Sequence, residues 1–259
     1  MLVLHLLSLL LAVAVLTTVG ILERRRDMAP QCIKNQCVEI YEFLVAEGEA
    51  HPSDPLLELR PRGRDLRRLG EVLFVLAESF VECRPERVRL LSVVWGVERR
   101  LLGRVESGSA RAAAKAMEQL LGLYPSFRAT ATIENRHFHT PRTRLLQLLV
   151  NIYAKPSQVV ALLKAHPHRL SWGEMERVVE VLKRRCPILE RVECDGAPSH
   201  NTELFELYLA QVEGVGSVEE VARRLALSSE GPLRSAASNA LWRERLFPRY
   251  GTFGREPRG

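Results

Sequence analysis

Two pairs of histidines are separated by a single residue, His137-Phe-His139 and His166-Pro-His168. On an extended segment that spacing places both imidazoles on one side, as a metal site could use, and Cys186, Cys194, Asp195 and His200 are available as further ligands. A metal site needs three or four convergent ligands, however, and histidines in loops and helix ends near arginines are ordinarily solvated. Glu203 and Glu206 lie on adjacent turns of one helix, a spacing that is also that of ordinary surface charges. The chain has no Gly-x-Gly-x-x-Gly, no Walker loop, no Gly-x-Ser-x-Gly and no His-Glu-x-x-His. The reading is therefore of a protein that is not an enzyme, with no catalytic, cofactor-binding or metal residues. An unrecognised enzymatic site around Glu134, His137 and His139 is kept as an alternative.

The five cysteines, Cys32, Cys37, Cys83, Cys186 and Cys194, are odd in number. Cys32 and Cys37 are too far apart for a Cys-x-x-Cys unit, so free thiols are expected, with palmitoylation near a membrane as the rival reading. Lys and Arg total 37 against 31 Asp and Glu, a net charge of +6. Such a balance favours nucleic acid or a membrane surface, yet acids are interspersed among the bases. Convergence of Arg104, Arg111, Arg144 and Arg234 from successive helices would make a partner-binding face, or in the alternative a grip on a nucleic-acid backbone.

The elements that must carry these residues begin with an apolar run. Residues 1–22 contain no Asp, Glu, Lys or Arg, and Glu23-Arg24-Arg25-Arg26 follows at once. As a helix this run is about 33 Å long, against a hydrocarbon core of roughly 30 Å. Residues 1–23 are thus expected to be a transmembrane anchor. Ala12-Val13-Ala14 offers a signal-peptidase alternative, but no Lys or Arg precedes the run and the hydrophobicity continues past that site. The arginines on the C-terminal side place the body in the cytoplasm by the positive-inside rule.

Residues 24–63 read as a juxtamembrane connector, in which Pro30 interrupts any continuation of the anchor and Cys37 to Ala46 make a short amphipathic helix. From Asp65 helical spacing dominates through Leu66, Leu69, Val72, Leu73 and Leu76. A helix opening at Pro85 is expected to bury Val88, Leu91, Val94, Trp95 and Leu102, and a third follows Ser107-Gly-Ser109. Phe127 to Phe138 breaks the helical rhythm, and within it Phe127 to Ile133 alternates like an extended segment, read as a loop or extended insertion or as a partner-binding element. Helices resume at Thr140-Pro141 and Pro156. Capping boxes at Ser171-Trp-Gly-Glu174 and Ser217-Val-Glu-Glu220 start two more, with a helix from about Thr202 to Val212 between them. Short connections predict antiparallel hairpins.

Ser109-Ala-Arg-Ala-Ala-Ala-Lys-Ala-Met117 can be laid beside Pro232-Leu-Arg-Ser-Ala-Ala-Ser-Asn-Ala-Leu241. An Arg followed by small residues that let helices lie close resembles the second helix of a HEAT repeat, with residues 217–227 as the first helix of the later copy. The resemblance implies an all-α fold of antiparallel helical hairpins stacked as a HEAT-like solenoid over residues 64–250, preceded by the N-terminal transmembrane helix and closed by a 251–259 tail. The function it implies is a single-pass membrane scaffold or adaptor whose cytoplasmic solenoid binds a protein partner, itself membrane-associated. An irregular helical bundle is the rival architecture.

Overall fold

The computed structural model describes residues 30–51, 53–185, 199–215, 217–228 and 232–246. The expected anchor over residues 1–23, the 251–259 tail, Cys186, Cys194 and Asp195 lie outside them. Among the described residues the chain is all-α, without a strand, and no helix is long and apolar enough to cross a membrane. It divides into two compact units, Met1–Leu146 and Gln147–Gly259.

The first unit holds α1 (Pro30–Val45), the single turn α2 (Pro55–Glu58), α3 (Gly63–Ser79), α4 (Pro85–Val94), α5 (Val97–Ser107), α6 (Ala110–Gly122) and α7 (Phe127–Glu134). Pro30 stands at the first position of α1, where its missing N–H has no partner to lose, so this helix is longer than the expected one from Cys37. Its Cys37, Ile40 and Leu44 recur at three and four residues and are buried with Phe43 against α3 and α4. The helix expected from Pro85 through Leu102 is broken in two. Gly96 takes φ +78, a left-handed conformation that ends α4 and starts α5, and Val94 and Leu102 are only half-buried. Small residues set the helix spacing further on. A Cβ on Gly122 of α6 would lie 2.6 Å from the Phe74 ring of α3, and one on Gly70 of α3 would lie 3.0 Å from Val97 of α5.

The alternating run over 127–133, expected to be extended, is instead helical and continues to Glu134. Ser126 caps it by accepting from the Ala129 N–H at 3.3 Å, and Ala129, Thr130 and Ile133 form its buried face. The Thr130 and Thr132 hydroxyls donate back to the carbonyls of Phe127 and Arg128, which absorbs the polar groups that made the segment look alternating.

α8 (Pro141–Ala154) carries the unit boundary within its length. The second unit continues with a 3-10 turn (Pro156–Gln158), α9 (Val159–Ala165), α10 (Trp172–Lys183), α11 (His200–Tyr208), a π turn (Leu209–Glu213), α12 (Val218–Ser228) and α13 (Pro232–Leu246). The capping box at Ser171 and Glu174 is formed, and a second joins Ser199 to Thr202. The helix expected from Thr202 to Val212 begins at His200 and widens into the π turn before Gly214, at φ +72, stops it. Asn201 is buried. Its side-chain amide donates to the Leu163 and His168 carbonyls at 3.2 and 3.0 Å and accepts from the Leu170 N–H at 2.9 Å. Of the two Arg-and-alanine segments, Ala113, Ala116 and Met117 are buried in α6, which packs on α5, and Leu233, Ala237 and Ala240 are buried in α13, which packs on α12.

Candidate functional site

One opening in the first unit is a groove of about 580 Å³. The turn after α1 supplies Gly48 and Ala50, α4 supplies Leu90 and Val93, and Ser126 closes it. Val93 is 49% exposed, and Phe127, the residue after Ser126, is 84% exposed. The groove is also lined by Arg84, Arg89, Glu49 and Glu86, two charges of each sign outside the buried Arg87.

Buried polar contacts hold the groove in place. Arg87, only 6% exposed, donates from Nη1 to the Phe43 carbonyl at 2.9 Å and from Nη2 to the Gly48 carbonyl at 3.0 Å. Its guanidinium also lies 4.9 Å from the centroid of the Phe43 ring. The positive charge thus sits at the C-terminal end of α1, where the helix dipole and free carbonyls favour it. On the opposite side Glu98, 7% exposed, accepts from both the N–H and the hydroxyl of Ser126, at 2.8 and 2.6 Å. One buried cation and one buried anion therefore tie both walls to the helical core. Trp95 belongs to the same framework, its indole N–H donating to the Leu56 carbonyl at 2.8 Å.

Of the four arginines singled out by sequence, Arg104 and Arg111 are exposed on α5 and α6. Arg144 is half-buried, and its Nε donates to the Phe138 carbonyl at 2.8 Å, so it holds the 135–140 segment. Arg234 is exposed on α13 in the second unit. Arg104 alone among them lines a recess. That recess, between α3, α5 and α6, also receives Arg67, Arg100 and Lys115. Sequence reasoning missed these three. Their only local sign is the Arg100 and Arg104 spacing of four, which places two like charges on one helix face.

No known protein family, curated protein or solved structure matches this chain.

Cys186, Cys194 and Asp195 lie outside the described residues, and the other residues considered for metal or catalytic chemistry do not gather. Among the described residues no three His, Cys, Asp or Glu side chains are placed to share an ion. His137 and His139 are exposed on either side of the buried Phe138. The His166 and His168 rings meet edge to face at 5.8 Å, and His200 lies 3.4 Å from the Leu170 carbonyl. Glu206 pairs with Arg224 across α11 and α12. Trp172 packs on Tyr208 with ring centroids 5.0 Å apart. Cys37 and Cys83 are free, and burial pushes their thiols up to about 11 and about 12. Both are protonated at neutral pH and poor nucleophiles.

Proposed function

We propose that this chain is a membrane-tethered scaffold or adaptor, whose cytoplasmic body is a HEAT-like stack of helical hairpins that binds a partner protein. The groove beside α4 is the observation that carries the reading. A framed opening that leaves Val93 half in water, with the exposed Phe127 next in sequence to the lining Ser126, is costly unless something covers it, and exposed apolar side chains at such an opening suit a protein contact. The mixed lining charge suits an amphipathic segment with apolar side chains on one face and mixed charges at its edges, and disfavours a polyanion.

The tether is supported by the uncharged run over residues 1–22 and the arginines after it. Holding the body at the bilayer raises its effective concentration toward partners in the same membrane, so a modest groove affinity suffices.

The experiment is chemical crosslinking and mass spectrometry of the full-length chain in its native membranes, beside a version lacking residues 1–26 and a Val93→Arg variant. The expected result is a specific protein crosslinked near Val93 and Phe127, lost in both comparison proteins. Crosslinks that survive Val93→Arg unchanged would end the groove reading, and crosslinks that survive the deletion would end the role of the tether.

A further inference from the structure

We propose that the recess between α3, α5 and α6 is a binding site for a single phosphate group, held by Arg67, Arg100, Arg104 and Lys115. This inference stands apart from the partner-binding groove and does not depend on it.

Helical spacing brings the four cations together. Arg67 and Glu71 are one turn apart on α3, Arg100 and Arg104 one turn apart on α5, and Lys115 and Gln119 one turn apart on α6. The only acid lining the recess is Glu71, whose carboxylate lies 3.4 Å from the Arg67 Nε. Four positive charges against one negative leave a local excess of three. Two neighbouring acids of these helices are engaged elsewhere: Asp65 pairs with Arg68 at 3.6 Å, and Glu118 with Arg142 at 2.9 Å. Arg100 donates to the Gly63 carbonyl at 3.3 Å, which fixes its direction without neutralising it. Its pKa is lowered by burial first, then by Arg104 and Arg67, with Glu71 opposing them, the direction expected where like charges outnumber the one acid.

Such crowding destabilises a helix face unless an anion relieves it. Leu66, Leu101 and Leu123 line the same recess as the basic heads, so an anion seated there meets apolar surface as well as charge. The volume, about 60 Å³, corresponds to roughly two water molecules and suits one compact tetrahedral anion. Forked guanidinium groups are matched to phosphate oxygens, with Lys115 adding a point charge. A nucleic-acid backbone would instead need a row of cations, and neither Arg111 nor Arg144 lines the recess. The phosphate could be free or carried on a lipid headgroup, with the carrier left at the mouth.

The test is calorimetric titration of the full-length protein in nonionic detergent with two probes, inorganic phosphate and short-chain phosphatidylinositol 4-phosphate. One saturable site per chain is expected. The Arg104→Gln and Lys115→Gln double variant should weaken it at least tenfold, while Arg111→Gln, exposed on α6 outside the recess, leaves it unchanged. If the double variant fails to fold by circular dichroism, Arg104→Gln alone is read in its place, with a loss of several-fold expected. Binding of inorganic phosphate alone assigns the site to free phosphate, and binding of the lipid that phosphate displaces assigns it to a headgroup. Absence of saturable binding by both probes would overturn the proposal, as would equal loss in Arg111→Gln. A DNA duplex binding with the same dependence on Arg111 would assign the charge to nucleic acid.

Discussion

Replacing Arg87 with methionine tests how the groove is built. The guanidinium makes two bonds to backbone carbonyls, at Phe43 and Gly48, and both belong to the segment that must lie against α4 for the groove to exist. Methionine keeps most of the volume, so the change isolates the polar contribution. Hydrogen bonds from a charged donor contribute about 1.5–3 kcal/mol each. The two sites differ, however. Gly48 is exposed, so water can reach its carbonyl after the change, whereas the Phe43 carbonyl lies among buried residues and is left with no donor there. Relief of the desolvated guanidinium offsets part of the loss. The balance is a destabilisation of about 2 kcal/mol, or about 4–8 °C in Tm for a chain of this size. Arg87→Ala should cost about 1–2 kcal/mol more through the cavity it leaves. The assay is thermal and urea unfolding by circular dichroism on full-length protein in one detergent. A loss below about 0.5 kcal/mol for Arg87→Met would refute the argument, since it would equate this residue with an ordinary surface arginine.

Two glycines on adjacent helices should respond with opposite signs. Gly122→Ala drives a Cβ into Phe74 and should destabilise by about 1–3 kcal/mol, whereas Gly103→Ala meets open space inside α5 and should stabilise by about 0.5–1 kcal/mol; urea midpoints of the two variants decide it. Asn201→Ala removes its three bonds to the chain around Leu163, His168 and Leu170, and should cost about 2–4 kcal/mol, read as a shift in urea midpoint. Cys37 and Cys83 should resist alkylation by iodoacetamide at pH 8 in the folded protein and react once it is unfolded, as mass spectrometry would count. Because burial raises both thiols above their ordinary value near 9, the folded state favours the protonated form, so their contribution is level below about pH 9 and stability falls as pH rises above it.

Helices with a strong local start and a regular apolar stripe could be read directly from the chain, as with α3 behind Leu69, Val72, Leu73 and Leu76, and α10 behind its Ser171 capping box. Where local signals conflict, packing decides. The alternation from Phe127 through Ile133 has the period of a strand, yet Ser126 caps the segment and Ala129 and Ile133 find a core four residues apart. Gly96 looks tolerable inside a helical pattern until the chain needs a left-handed residue to turn α4 into α5. The groove was not legible at all, because Val93 reads as one more apolar residue on an amphipathic helix. Arg104 could be singled out, but Arg67 and Lys115 reach the same recess only through the packing of α3 and α6 against α5.

The central claim, a tethered body that binds a protein through the groove beside α4, is tested most directly by placing a photocrosslinking amino acid at position 93 of the full-length chain in its native membranes, with position 111 on α6 as the control. A single membrane-associated protein captured from position 93, not from 111, and lost when residues 1–26 are removed is the predicted result. Capture of the same proteins from both positions, or of none from position 93 in intact membranes, would contradict it.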